Sequence, residues 1–287
     1  MLVFSTKSEL RAWLTERPRR GRTLVPTMGA LHRGHTSLFD LARAKRPDGD
    51  LIATIFVNPL QFGPSEDFSA YPRPHEADLA LCRDHGVTAV FAPSDAEMYA
   101  ADASITVAES QLSRDFCGAS RQGHFDGVVT VVSKLFNLVE PEIAVFGEKD
   151  FQQLAIIRRL VRDLNFLIEI AAGPTAREKD GLALSSRNVY LSGAEREQAP
   201  IIRAALQSVA ANITSGTFPD PASALASLKY TITTKPLAVI DYLGLVHAET
   251  LVPLTTFSSH PARLLAAVFF GRTRLIDNVA VLPLGSS

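Results

Sequence analysis

The chain has 287 residues, which is enough for one large domain or two unequal domains, each with its own hydrophobic core. Its 29 Lys and Arg nearly balance its 30 Asp and Glu, so no basic excess predicts a nucleic-acid or membrane-surface partner. Two cysteines, no signal-peptide core near the N-terminus and no apolar run long enough to span a bilayer lead us to expect a soluble cytoplasmic protein.

The first predicted elements form a strand, a turn and a helix. Residues 8–17 are amphipathic and predict an opening helix. Residues 23–25 are short, apolar and β-prone, which predicts a buried strand, and apolar residues recur at helical spacing over 38–42. The segment 26–35, with the sequence PTMGALHRGH, is therefore expected to join a strand to a helix.

Two histidines mark the start of that helix. His32 and His35 are three residues apart on the first turn and should face the same way. Pro26 and Gly29 would shape the turn, and Gly34 would let a ligand come close. The adjacent backbone N–H groups and the positive end of the helix dipole predict a phosphate site. A metal site formed by the two histidines is disfavoured because no Cys or carboxylate lies nearby at ligand spacing. The alternative that both are surface histidines without a function is disfavoured by the preceding strand and the surrounding glycines.

A second strand is predicted over the apolar, β-rich run 51–57. Asn58 and Gln61 follow it. Because ligands gather at the carboxyl ends of strands in open α/β sheets, these amides are expected to meet the group bound at the histidines. An Asn-Pro pair is also common in ordinary turns. An ordinary turn would account for Pro59 fully and for Asn58 in part, but it would not account for Gln61.

Further alternation of helices and strands predicts a parallel sheet with right-handed crossovers. Residues 75–85 read as a helix and 87–91 as a strand. The apolar residues of 125–139 fall at helical spacing, so a helix is predicted there although the segment is rich in valine. Buried strands are then predicted at 143–146 and 166–170.

Lys149 stands between a predicted strand and a helix start. A lysine there lies in positive potential, which is unfavourable unless an anion shares the space. Asp150 is expected to cap the helix, and Gln153, one turn beyond Lys149, can face the same cavity. This strand end is therefore a second candidate for the site.

The polar connection 176–188 contains Ser185, Ser186 and Arg187, which offer two hydroxyls and a planar cation, a suitable phosphate clamp. An ordinary loop is the alternative. Beyond about residue 190, helices are followed by strands, which suggests a separate α+β domain. The predicted elements are helices at 195–211 and 222–231, then strands at 238–246, 262–270 and 276–281.

Several of these segments resemble the motifs of the pantothenate synthetase family, within the HxGH nucleotidyl-transferring superfamily. The likeness extends over most of the chain, and the motifs occur in the family's order. They lie at 26–35, 55–62, 71–73, 118–121, 123–125, 133–137, 146–153, 180–188 and 274–278.

The resemblance implies an α/β fold: a Rossmann-like parallel sheet with helices on both faces over 1–175, and a smaller α+β C-terminal domain over 176–287 that covers the site. It implies ATP-dependent joining of (R)-pantoate to β-alanine, with Mg²⁺, through a pantoyl adenylate. The products would be pantothenate, AMP and pyrophosphate. It also implies a homodimer.

By the same resemblance, His35 is the expected catalytic residue, and His32 and Lys149 would stabilise developing charge with it. Gln61 and Gln153 would hold pantoate and β-alanine, together with Asn58. The expected ATP-binding residues are Met28, Gly29, Ala30, Leu31, His32, Arg33, Gly34, His35, Gly147, Glu148, Lys149, Asp150, Ala176, Leu184, Ser185, Ser186 and Arg187.

The chain departs from the family pattern at two places. Gln122 stands where many members have proline. Some relatives carry adjacent acidic residues, suggested to hold the metal, where this chain has the run 75–78 with the sequence HEAD. No protein ligand for Mg²⁺ is therefore assigned, and phosphate oxygens are expected to hold most of the metal.

Three other functions compete with this interpretation. A related HxGH nucleotidyltransferase would transfer AMP to a phosphate, but paired glutamines at 61 and 153 suit a small hydroxy acid better. A nicotinamide-dependent oxidoreductase is disfavoured because the first strand–turn–helix lacks Gly-x-Gly-x-x-Gly. A non-catalytic nucleotide-binding module is disfavoured by His, Lys and Gln at three separate strand ends.

Overall fold

The structure, a computed structural model, describes residues 1–64, 66–257 and 259–282. Within these ranges the chain forms two compact units. The first unit consists of Met1–Gln111, Arg121–Glu148 and Ile156–Pro174, and the second consists of Leu112–Ser120, Lys149–Ala155 and the described residues from Thr175 onwards.

The predicted strands and helices occur in the predicted order, and the structure adds a strand at Leu2–Phe4 and short helices at Asp95–Met98 and Cys117–Ser120 that were not predicted. The strands are β1 (Leu2–Phe4), β2 (Thr23–Thr27), β3 (Leu51–Ile55), β4 (Ala89–Phe91), β5 (Ile143–Gly147), β6 (Glu169–Gly173), β7 (Ala238–His247), β8 (Ala262–Phe270) and β9 (Thr273–Val281). The helices are α1 (Lys7–Thr15), α2 (Arg33–Lys45), α3 (His75–Asp84), α4 (Asp95–Met98), α5 (Cys117–Ser120), α6 (His124–Val139), α7 (Phe151–Asp163), α8 (Gly193–Gln198), α9 (Ile201–Thr214) and α10 (Pro221–Thr233).

The first unit contains a six-stranded sheet in the order β1-β4-β3-β2-β5-β6. Every pairing in it is parallel, which confirms the predicted parallel sheet. From β2 the chain runs outward through β3 and β4 on one side, whereas β5 and β6 lie on the other side. The strand order therefore reverses between β2 and β5, and such a switch point is where open α/β sheets bind ligands.

Helices cover both faces of this sheet, as predicted. Successive side chains of a strand point to opposite faces. Val145 of β5 belongs to the core that includes Phe39 of α2 and Leu79 of α3. Its neighbour Phe146 points the other way, and its ring centroid lies 6.5 Å from that of Phe136 in α6.

The valine-rich segment is a helix, α6, as its apolar spacing predicts. Thirteen of its sixteen residues are buried, so packing against the rest of the first unit compensates for the low helix propensity of β-branched residues.

The second unit contains an antiparallel sheet in the order β7-β8-β9. Helices α9 and α10 contact this sheet and each other. Their apolar side chains form one core with the sheet, which includes Leu206, Leu228 and Leu264. This arrangement confirms the predicted α+β region. None of the helices in the described ranges has the length and apolar character that crossing a bilayer requires.

Most predicted bounds differ from the observed ones by one or two residues, and three predicted elements differ more. Pro200 lies between α8 and α9, where one helix was predicted over 195–211, because proline lacks the N–H and its ring clashes with the preceding turn. Strand β6 begins at Glu169 and not at 166, since the chain leaves α7 through Asn165 in the left-handed conformation (φ 55°). Strand β9 begins at Thr273, three residues earlier than predicted.

Candidate active site

Strands β2 and β5 separate toward their carboxyl ends. Their ladder covers only Thr23 and Leu24, whereas the ladder between β2 and β3 continues to Thr27. Pro26, expected in the turn, lies inside β2. A proline donates no N–H, and it lies where β2 has lost its pairing with β5. A crevice therefore opens at the switch point, beside the segment that carries the histidines.

The loop after β2 has two consecutive residues in the left-handed region. Gly29 has φ 82° and Ala30 has φ 49°. Glycine is required at position 29 for two reasons. It adopts the left-handed conformation without strain, and a Cβ atom at this position would lie 2.9 Å from a carboxylate oxygen of Asp78. Alanine rarely adopts this conformation, so the surroundings must hold it in place.

Asp78 holds this loop. Its carboxylate accepts hydrogen bonds from the backbone N–H groups of Ala30 (2.9 Å) and Leu31 (2.7 Å), and the residue is 1% exposed. Burial raises the pKa of Asp78, against the opposing effect of these two bonds. Sequence reasoning gave Asp78 no such role, because nothing in the sequence links an acid in the first turn of α3 to a loop 47 and 48 residues away.

Both histidines point a ring nitrogen at the backbone. His32 is the N-cap of α2, one position before the predicted first turn, and its Nδ1 accepts from the N–H of Gly34 (3.0 Å). Nδ1 of His35 accepts from the N–H of His32 (3.2 Å), and the ring centroids lie 4.2 Å apart. Because each Nδ1 accepts, the proton of each neutral ring lies on Nε2, which is therefore the donor atom of that ring.

Helix α2 adds positive potential at the same place. It runs for 13 residues from Arg33 and has no acidic residue in its first turn. Its N-terminal N–H groups and dipole therefore favour an anion there.

Gln61 lies in the same unit, at the end of a short turn (Pro59–Gln61) that follows β3. It is 9% exposed, and its Nε2 lies 2.8 Å from Sδ of Met28 in the loop after β2. Asn58 is 1% exposed and donates to Oε1 of Gln61 (3.2 Å). The structure thus brings two predicted substrate residues together with a predicted ATP-binding residue.

Other site residues lie in the second unit. Lys149 belongs to the turn that follows β5 in sequence, and its Nζ lies 3.9 Å from Oδ2 of Asp150. The main-chain carbonyl of Lys149 accepts from the side chain of Asn278 (3.0 Å). Lys149 and Ser185 line one cavity, together with Asp277. Lys149 and one residue of the proposed phosphate clamp, Ser185, thus line the same cavity.

The two parts of the 176–188 connection are joined by backbone hydrogen bonds. The N–H of Leu184 donates to the carbonyl of Ala176 (2.9 Å). The Ser185 hydroxyl oxygen accepts from the N–H of Arg187 (3.2 Å) and begins the turn Ser186–Tyr190. Five residues predicted to surround the nucleotide therefore form one local structure.

Neighbouring glutamines at the start of α7 have different environments. Gln152 is 5% exposed; its amide accepts from the N–H of Cys117 and donates to the carbonyls of Leu112 and Asp115. Gln153 is half-buried, and its side chain makes no hydrogen bond within 1–64, 66–257 and 259–282. The amide of Gln152 thus holds backbone groups of another segment, whereas that of Gln153 does not.

The predicted site residues fall into two groups, one in each unit. Residues 28–35, Asn58, Gln61, Gly147 and Glu148 lie in the first unit. Lys149, Asp150, Gln153, Ala176 and 184–187 lie in the second. Among the described residues, no three or more His, Cys, Asp or Glu side chains are grouped so that they could hold a metal ion.

Comparison with known proteins identifies the family. A family model described as pantoate-beta-alanine ligase matches residues 2–280. A pantothenate synthetase of Sphingopyxis alaskensis is 52% identical over 258 residues, which cover 90% of this chain and 91% of that protein.

Comparison with solved structures identifies the same family. A crystal structure of pantothenate synthetase from Thermus thermophilus matches with a TM-score of 0.92 at 48% identity, over 99% of this chain and 100% of that one. A pantoate-beta-alanine ligase from Francisella tularensis, complexed with beta-gamma ATP and beta-alanine, matches with a TM-score of 0.80 at 30% identity, over 97% of each chain. Sequence and fold therefore agree over nearly the whole length, and the chain belongs to the pantoate–β-alanine ligase family.

Proposed function

We propose that this ATP-dependent pantoate–β-alanine ligase works in two steps through an enzyme-bound pantoyl adenylate. In the first step a carboxylate oxygen of pantoate attacks the α-phosphorus of ATP, and pyrophosphate leaves. In the second step the amine of β-alanine attacks the acyl carbon, loses a proton, and AMP leaves with the bridging oxygen. The products are pantothenate, AMP and pyrophosphate.

The observation that carries this proposal is the bonding of the two histidines. Both Nδ1 atoms accept backbone N–H groups, so the N–H donor of each neutral ring is at Nε2, beside the N-terminus of α2. Donors fixed before the reaction stabilise charge that develops on phosphate oxygens without a cost of reorganisation. We assign His35 the catalytic role and His32 a supporting one at the α-phosphate.

Residues of the second unit are also proposed to contact the nucleotide. Lys149 would stabilise the charge on the phosphates, and the turn after Ser185 would contact them with its hydroxyls and guanidinium. Gln61 and Gln153 would hold pantoate. The Francisella tularensis relative, solved with beta-gamma ATP and beta-alanine, supports the same substrates here.

Magnesium would enter with the nucleotide. Since the described residues offer no group of three metal ligands, the protein side chains alone do not fit a tight Mg²⁺ site. We propose that ATP phosphate oxygens supply most of the ligands. Calorimetric titration of Mg²⁺ into nucleotide-free protein should show no tight binding, and a micromolar site in that titration would contradict the proposal.

The resemblance also supports a division into domains at 175/176, with the second domain covering the site, and a homodimer in the cytoplasm. A cover would protect the adenylate, which water would otherwise hydrolyse. The first unit ends its last segment at Pro174, which supports that boundary. Sedimentation velocity should give about twice the chain mass of 31.1 kDa, and a monomer would contradict the dimer.

An isotope experiment tests the two-step chemistry. Pantoate labelled with ¹⁸O in both carboxylate oxygens should pass one label to the phosphate of AMP and keep one in pantothenate, because the attacking oxygen stays on phosphorus when the acyl bond breaks. Unlabelled AMP would exclude the adenylate. Transfer of AMP to a phosphate acceptor, independent of β-alanine, would instead support the related nucleotidyltransferase.

A further inference from the structure

We propose that Tyr99 is a positioning residue, which acts through Asn58 to hold the Gln61 amide with its NH₂ group toward the substrate. This inference rests on the proposed role of Gln61 in binding pantoate. All three residues lie in the first unit. They form a chain of hydrogen bonds in which each amide has only one orientation.

The orientation of Asn58 is fixed by two backbone groups. Its Nδ2 lies 3.0 Å from the carbonyl oxygen of Gly127, which can only accept. Its Oδ1 lies 3.3 Å from the backbone N–H of Leu60, which can only donate. An exchange of the oxygen and nitrogen of Asn58 would place like groups together at both contacts.

The orientation of Gln61 follows from that of Asn58. The second N–H of Asn58 Nδ2 donates to Oε1 of Gln61 (3.2 Å). The Nε2 of Gln61 therefore lies on the other side, 2.8 Å from Sδ of Met28. A thioether sulfur is a weak acceptor, so a stronger one can displace it. Gln61 thus offers a donor, which suits a carboxylate or hydroxyl oxygen of pantoate.

Tyr99 supplies the shorter of the two bonds that Asn58 Oδ1 accepts. Its hydroxyl donates to this oxygen at 2.7 Å, against 3.3 Å for the Leu60 N–H. Burial raises the pKa of Tyr99, so the phenol keeps its proton and remains a donor. Asn58 itself is 1% exposed, so all four of its hydrogen-bonding positions are filled by protein groups and none is left for substrate.

Close approach of the turn to α6 makes this network possible. A Cβ atom on Gly127 would lie 2.2 Å from the carbonyl oxygen of Leu60. Only glycine lets the helix come near enough for its carbonyl to reach the side chain of Asn58.

The hydroxyl of Tyr99 can be removed without a change of ring shape. We expect Tyr99→Phe to raise the KM for pantoate about three- to tenfold, the scale of one net hydrogen bond, with kcat and the KM for ATP within about twofold of the wild type. Tyr230→Phe is the matched control, since this tyrosine is 75% exposed, and it should change none of these three constants. An unchanged pantoate KM in folded Tyr99→Phe would overturn the proposal.

A double-mutant cycle separates positioning from general packing. If Tyr99 acts through Gln61, Tyr99→Phe should add nothing to the pantoate KM of Gln61→Ala. Independent, multiplied effects would overturn the relay. If Gln61→Ala itself leaves the pantoate KM unchanged, the proposed substrate site has failed, and the relay fails with it.

The direction of the Gln61 amide has its own test, which does not depend on the folding of a Tyr99 variant. Gln61→Glu keeps an acceptor for Asn58 but presents an oxygen to the substrate. We expect its pantoate KM to exceed that of Gln61→Ala by about tenfold or more, because two oxygens would then face each other. A milder effect than that of alanine would show that Gln61 presents its oxygen, which contradicts the inference.

Discussion

At the scale of single residues, the imidazole of His32 closes the N-terminus of α2 through Nδ1, a position that Asn, Asp or Ser usually fills. The shorter side chains would satisfy the same N–H but would leave no donor pointing outward. An imidazole has nitrogens on opposite sides of the ring, so it can accept from the Gly34 N–H and still donate from Nε2. Histidine therefore serves the cap and the candidate phosphate site together.

These two roles of His32 can be separated by His32→Asn. Asparagine restores the cap, so the melting temperature should stay near that of the wild type, whereas His32→Ala should lose about 1 kcal/mol of unfolding free energy. Both variants lack the Nε2–H donor and should lose adenylate formation by about a hundredfold or more. Thermal unfolding and single-turnover assays measure the two effects. Full activity in His32→Asn would assign this histidine to the cap alone.

Lys149 makes an ion pair with Asp150 at 3.9 Å, a distance too long for a hydrogen bond. Its ammonium group is thus poorly neutralised by protein. We expect Lys149→Met to fold normally and to lose adenylate formation by about two to three powers of ten, the scale of one preorganised donor. Lys229→Met, on the exposed surface of the second unit, is the matched control. Wild-type turnover in Lys149→Met would contradict a role of Lys149 in adenylate formation. An unfolded Lys149→Met protein would assign Lys149 a structural role.

The sequence predicts residues that act on their own neighbours better than residues that act across the chain. His32 and His35 are close in sequence, and their rings lie together as predicted, although His32 is the N-cap of α2 and not a residue of its first turn. Asp78 and Tyr99 are different. Each bonds to a segment more than 40 residues away, and neither lies in a pattern that depends on that partner. Such contacts are determined by the sheet order, which local periodicity does not encode.

At the scale of elements, periodicity identified almost every strand and helix, because each has one strongly apolar face or is apolar throughout. The short elements β1, α4 and α5 were not predicted, since three or four residues are too few to show a periodicity. Other differences occur where one residue changes the backbone. Pro200 divides the predicted helix 195–211, and Asn165 delays β6 by adopting a left-handed conformation. Pro26 was expected to end β2, but a strand tolerates proline where one neighbour is unpaired.

Glu142 ties together the starts of β2 and β5 and the end of α2. It accepts from the backbone N–H of Gly21 (2.7 Å) and from two nitrogens of Arg46 (2.7 and 3.2 Å). The bonds with Arg46, and next that with Gly21, lower the pKa of Glu142 from 4.5 to about 2. As the pH falls, the unfolded chain therefore binds a proton at Glu142 before the folded protein does. The stabilising effect of the ionised carboxylate is lost between about pH 4.5 and 2.

We expect Glu142→Gln to lower the free energy of unfolding at pH 7 by about 1 kcal/mol, a value reduced by solvent screening because a third of the side chain is exposed. The difference from the wild type should shrink below pH 4.5, where the unfolded wild type is protonated. Urea unfolding from pH 7 to pH 3 measures this. Glu169→Gln, which removes an exposed ion pair with Lys45, is the control and should change little. A constant difference over the whole range would exclude the ionised carboxylate as the cause.

At the scale of the whole molecule, two short segments belong to the second unit although the chain around them belongs to the first. They are Leu112–Ser120 and Lys149–Ala155. Gln152 joins them, since its amide bonds to three backbone groups of the first segment. Neither segment has a composition that distinguishes it from its surroundings, so the sequence could not predict this exchange. Lys149 and Gln153 are thereby carried by the second unit, whereas His35 and Gln61 belong to the first.

The different roles proposed for His35 and Gln61 lead to a prediction about the two half-reactions, which are adenylate formation and acyl transfer to β-alanine. Charge on phosphorus oxygens develops only while the adenylate forms, so the imidazole of His35 should matter chiefly for that step. The pantoyl group is present in both steps, so Gln61 should matter for both. We expect His35→Ala to form adenylate from ATP and pantoate far more slowly than the wild type. Its rate of converting supplied pantoyl adenylate and β-alanine should fall much less. Gln61→Ala should impair both reactions.

Single-turnover quench of each half-reaction distinguishes these outcomes, and His85→Ala serves as the control, because that imidazole lies on the surface beside Asp40. Equal impairment of both steps in His35→Ala would mean that the imidazole does not act specifically on phosphorus. Wild-type protein given ATP, Mg²⁺ and pantoate alone should accumulate bound adenylate. If none forms until β-alanine is added, the amine must be present before phosphorus is attacked, and the proposed order of the two steps is wrong.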